Sequence, residues 1–133
     1  MSESEQNAIE GILEQLSNAS STQDSVRFIR QLGREDNPHA IATLMDYAHH
    51  DTIAIARTAI HALANYAPCD DLVALLPLLK HAHDFVRKAV VETLGQSGCG
   101  DFVPHLVTLL GDDTLDALVR EALIALKVDP NFF

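Results

Sequence analysis

Residues 72–95 read LVALLPLLKHAHDFVRKAVVETLG, and two apolar stripes run through them. Leu72, Leu75, Leu78 and Leu79 fall at the i, i+3, i+4 spacing of a helix with one buried face, and so do Val86, Val90, Val91 and Leu94. The histidines and Asp84 between the stripes mark the end of one helix and the start of the next. The stretch therefore predicts a helix pair.

The same pair recurs on either side. Ile41, Leu44, Tyr47 and Ala48 stand 31 residues before the first stripe, and Val103, Leu106, Leu109 and Leu110 stand 31 after it. Ile55, Ala59, Ile60 and Leu63 precede the second stripe by 31, whereas Leu118, Ala122, Leu123 and Leu126 follow at 32, which implies one residue inserted near Gly111 to Thr114. Leu13 and Leu16 with Ile29 and Leu32 supply an opening pair. A unit this short cannot bury a core alone and must stack on its neighbours. The expected fold is all-α, an α/α solenoid coiled as a right-handed superhelix, with four helix pairs and about eight helices. It forms a single domain over 1–133, in units of about 6–34, 35–66, 67–97 and 98–128, with a tail at 129–133. Asn37 with Pro38, Pro68 before Asp70, and Gly98 and Gly100 before Asp101 punctuate the junctions.

Asp84 to Gly95, DFVRKAVVETLG, followed by Gly100 to Leu110, GDFVPHLVTLL, resembles HEAT repeats, in particular the short version found in phycobilin lyases. The resemblance implies first helices outside and second helices lining a concave side. It also implies that Arg87, at the family's arginine position, pairs with a turn aspartate of a neighbouring repeat, a role open to Asp51, Asp84 and Asp113. Such a fold hosts scaffolds, lyase subunits and enzymes alike. Deoxyhypusine hydroxylases, built on similar repeats, bind iron through His-Glu dipeptides, and this sequence contains none.

Composition narrows the function. Nine basic against nineteen acidic residues give a formal charge of -10, which disfavours nucleic acid as a partner. No run approaches the roughly 20 apolar residues of a membrane span. Cys69 and Cys99 have neither metal-ligand nor redox spacing and read as reduced thiols in a cytoplasmic protein. No nucleophile with its base, no phosphate-binding loop and no cofactor motif emerges.

The basic residues carry the sharpest expectation. All but Lys80 lie in, or just after, second helices, so a mildly basic groove is expected inside an acidic shell. The partner-binding residues expected from helical phase are Arg27, Arg30, Arg57, His61, Lys88, Glu92, Arg120 and Ile124. They suit a protein partner, docked through an acidic segment, and a non-enzymatic adaptor, scaffold or assembly factor. The alternative is a phycobilin-lyase-like or chaperone-like subunit that acts on chromoproteins with a second repeat protein. A third reading places a metal at the repeat edge, on His49, His50, Asp51, His81, His83 and Asp84; helix C-terminal dipoles explain the same histidines without one. The last helix is apolar around much of its circumference, so Phe132 and Phe133 are expected either to cover it or to leave that end for a homodimer or partner contact.

Overall fold

The computed structural model describes the backbone of residues 3–35, 38–65 and 67–133, with side chains from residue 9 onward. Asn37, one of the expected junction residues, lies outside them. Every regular element among the described residues is helical, and none is long and apolar enough to cross a membrane. The chain divides into two compact units, residues 1–67 and 68–133.

The first unit holds α1 (Glu3–Ser17), α2 (Thr22–Gly33), α3 (Pro38–Ala48) and α4 (Ile53–Leu63). Ser21 opens α2, its hydroxyl accepting the Asp24 N–H at 3.1 Å, and Pro38 occupies the first turn of α3, where its missing N–H costs nothing. α1 packs on α2, α3 on α4, and α2 on α4, around Ile12, Leu16, Ile29, Leu32, Leu44, Ile60 and Leu63. This is the stacking of an α/α solenoid.

The second unit builds its pairs differently. The expected first helix of the third pair is one α-turn, α5 (Cys69–Leu72), that tightens into a 3-10 helix over Val73–Lys80. Pro77 is the reason, since it lacks an N–H for the i−4 bond and its ring crowds the carbonyl one turn back. α6 (Asp84–Gln96) follows, then a 3-10 turn over Gly100–Phe102 leading into the short α7 (Val103–Val107), and α8 (Asp116–Ala125). Leu32, Leu63 and Leu94 are all fully buried, as are Leu44, Leu75 and Leu106, so the 31-residue beat marks core positions.

That beat fails in the last helix. Its buried stripe is Leu115, Val119, Ala122 and Leu123, which answers to Ile55, Ala59, Ala62 and Leu63 at 60 residues, while the expected Leu118 and Leu126 are only half-buried. The last pair has thus lost two residues rather than gained one. A three-residue slip moves along the same i, i+3 stripe, so apolar periodicity alone cannot tell 29 from 32. Gly111, at φ 89°, turns the chain between α7 and α8, its N–H donating to Asp116 Oδ1 at 2.8 Å. Arg120 Nε donates to Asp116 Oδ2 at 2.8 Å. The Gly111 N–H and then the Arg120 guanidinium hold the Asp116 carboxyl below its ordinary range.

Two further expectations are corrected. Cys69 and Cys99 form a disulfide rather than standing as thiols, with Cα atoms 6.1 Å apart. Their near-31 spacing brings the starts of adjacent first helices side by side, and the support they lent to a reducing compartment is withdrawn. The tail covers α8 only in part. Phe133 is half-buried under Arg120, whose guanidinium lies 5.6 Å from its ring, but Phe132 remains 72% exposed.

The second helices pack closely at glycine. A Cβ on Gly33 would lie 2.7 Å from Ala62 Cβ, and one on Gly95 would lie 2.7 Å from Ala122 Cβ and 2.9 Å from its Cα. Gly95→Val is expected to destabilise the protein by about 1–3 kcal/mol through overpacking. Gly11→Ala, on an open face of α1, should stabilise it by up to about 1 kcal/mol, both measured by urea denaturation. Asp116→Ala should lower the melting temperature at neutral pH. Because the folded carboxyl titrates below the unfolded one, its contribution is full above the usual carboxylate range and lost as pH falls through the folded value, so the two melting curves should converge in acid.

Candidate interaction groove

Side by side and touching at Gly33 and Ala62, α2 and α4 leave a trough along their outward edges. One opening of about 460 Å³ is lined by Val26, Arg30 and Arg34 from the α2 side and by Ala54, Arg57, Thr58, His61, Ala62 and Asn65 from the α4 side. A second, of about 620 Å³, extends it toward the start of α2 through Thr22, Gln23, Arg27 and Gln31, and shares Val26, Arg30, Arg34 and Ala54. The floor is apolar or small and the rim is cationic.

Charge in this trough is sorted. Residues 1–67 contain four arginines and no lysine, and all four arginines, Arg27, Arg30, Arg34 and Arg57, line it. No carboxylate lines either opening. Arg27 sits 3.4 Å from Asp24 in an exposed pair worth little, and stacks 4.8 Å from the Phe28 ring. Arg30 and Arg34 make no ion pair with any described residue.

The second unit carries the equivalent opening between α6 and α8, about 170 Å³, lined by Glu92, Gly95, Gln96, Leu118, Glu121, Ala122 and Ala125. Glu92 and Gln96 stand 62 residues after Arg30 and Arg34, and Leu118 and Glu121 stand 60 after Thr58 and His61. One backbone trough is thus built twice, basic in the first unit and acidic in the second.

Of the residues expected to bind a partner, Arg27, Arg30, Arg57 and His61 line the first trough and Glu92 the second. Lys88 lies 5.7 Å from the Phe85 ring, Arg120 bonds Asp116, and Ile124 is 50% exposed; none of the three lines these openings. Arg34 and Glu121 were not anticipated. Arg34 stands four residues after Arg30 and so on the same face, a signal masked by its place one residue past the helix. Glu121 was hidden by the misplaced register of α8.

Arg87 donates to the His81 carbonyl at 2.9 Å and pairs with Asp84, one turn earlier on its own helix, not with a neighbouring repeat. The histidines close turns. His50 Nδ1 accepts the Thr52 N–H at 2.9 Å, His81 Nδ1 accepts the His83 N–H at 2.9 Å, and Asp112 Oδ1 accepts the Thr114 N–H at 2.8 Å. These three residues are spaced by 31, so imidazole and carboxylate serve the same post in successive repeats. His83 Nδ1 caps α6 by accepting the Phe85 N–H at 3.2 Å, and the His49 ring bonds the Met45 carbonyl at 3.0 Å. Among the described residues no group of three His, Cys, Asp or Glu could hold a metal.

Stacked short helix pairs with a trough between second helices define an α/α repeat protein. Residues 72–127 match the family model for HEAT repeats, and the stacked helix pairs of the chain are HEAT-like. No curated protein matches it. His81→Asn, which restores an acceptor at the turn, should melt close to the wild type, whereas His81→Ala should cost about 0.5–1 kcal/mol in chemical denaturation.

Proposed function

We propose that this protein is a non-catalytic interaction module that binds an acidic segment of a protein partner in the trough between α2 and α4. The observation that carries the reading is the gathering of every arginine of residues 1–67 on one trough, in a protein whose formal charge is -10. Dispersed cations would have served solubility equally well. Gathered ones create a local potential opposite in sign to the rest of the surface, which selects and orients a negative ligand. HEAT repeats generally mediate protein–protein interaction, which supports the same reading.

The groups suit recognition rather than reaction. Thr58 Oγ1 already donates to the Ala54 carbonyl at 2.7 Å, and arginine stays protonated throughout the ordinary pH range. An acidic segment docked here gains charge-assisted hydrogen bonds from the guanidinium rim and apolar contact with Val26, Ala54 and Ala62 on the floor. Its affinity is salt-dependent because the rim is open to solvent.

A fluorescein-labelled glutamate-rich peptide tests this by anisotropy. Binding should weaken steadily with added salt and be abolished by joint Arg30→Glu and Arg57→Glu substitution, with helicity and melting nearly unchanged. Glu121→Gln should leave it intact. Binding retained by the double reversal would move the interface away from this trough.

A further inference from the structure

Resting on that reading, we infer that the trough recognises a phosphorylated acidic segment, with the phosphate group of a phosphoserine or phosphothreonine held between Arg30 and Arg34.

The first argument is the kind of cation. Every basic residue lining the trough is arginine, although lysine occurs elsewhere in the chain at positions 80, 88 and 127. Guanidinium presents its donors as a planar fork that meets two oxygens at once, whereas ammonium acts as a point charge. A carboxylate offers two oxygens and one charge and is satisfied by a single fork. A phosphate monoester offers three terminal oxygens and nearly two charges at neutral pH, and so uses two forks at once.

The second argument is availability. Arg57 and His61 each already engage a neighbour within the chain, so they are not needed as the primary ligands. Arg27 is drawn toward Asp24. Arg30 and Arg34, the two guanidiniums common to both openings, make no ion pair with a described residue. They sit four residues apart, about 6 Å along the helix axis.

The third argument is shape. The openings run from Thr22 to Arg34, along the whole of α2, which is far longer than a phosphate ion and suits an extended chain. In such a chain alternate side chains are spaced by about 7 Å. A phosphorylated residue between Arg30 and Arg34 then brings an acidic residue two positions away close to Arg27. The overall negative charge does not oppose this, because fields of exposed charges are screened within about 8 Å at physiological ionic strength. It does exclude a long polyanion, and the acidic rim of the corresponding trough, Glu92 and Glu121, repels the phosphate there. Of these two troughs the first is therefore the one that suits the phosphate.

The test uses a labelled peptide with a central serine flanked by a glutamate two residues to each side, prepared with phosphoserine, serine or glutamate at the centre, and the full chain. Anisotropy should show the phosphorylated form binding about tenfold more tightly than the glutamate form. Arg30→Gln and Arg34→Gln should each remove that preference with unchanged melting curves, and Glu121→Gln should preserve it. Equal affinity for the phosphoserine and glutamate forms, both lost in the double reversal Arg30→Glu with Arg57→Glu, would overturn the inference and leave the acidic-segment reading standing. Binding of no form would overturn both. Displacement of the phosphopeptide by an equal concentration of inorganic phosphate would assign the site to the free ion and overturn the inference.

Discussion

Close approach of second helices at glycine is the constraint on which the rest of each unit depends. Gly33 faces Ala62 and Gly95 faces Ala122 at distances that leave no room for a Cβ. Small residues let the helix backbones come together, and the buried leucines and isoleucines on the inner side follow from that approach. On the outer side the same approach fixes a narrow floor, with longer side chains raised on either rim. The trough is thus a by-product of tight packing and appears in both units without any residue dedicated to making it.

Because the backbone supplies the trough, the rim side chains are at liberty to set its chemistry. The first unit places arginine on it and the second places glutamate and glutamine at the equivalent positions. Solvent-exposed rim positions contribute little to folding, so they can change sign without cost to the core. The disulfide, the imidazole and carboxylate turns and the Asp116 network do the opposite work, tying down the edges of the stack. The rim side chains and the contacts that stabilise the fold are therefore separate sets of residues.

Much of this was legible from the repeat. The helix pairs and the buried Leu32, Leu63 and Leu94 follow from spacing alone, and the basic groove expected of all second helices holds for the first unit only. What could not be read there has identifiable physical causes. Pro77 turned an expected α-helix into a 3-10 helix because a single absent N–H outweighed an apolar stripe that both geometries satisfy. The register of α8 was misplaced because a slip of three residues preserves the stripe, and that slip concealed Glu121 and put Ile124 in its place. Arg34 is not legible from helical phase because it lies one residue past the helix end.

The sequence by itself determined an all-helical repeat and which side of each helix is buried, because apolar periodicity is a local signal tied to the 3.6-residue turn. Tertiary structure alone decided which second-helix residues meet across a trough, that Cys69 and Cys99 join, and that arginine in one trough is answered by glutamate in the other. Those facts depend on how far one helix slides along the next. Steric fit at Gly33 and Gly95 sets that distance, and no count of residues along the chain contains it.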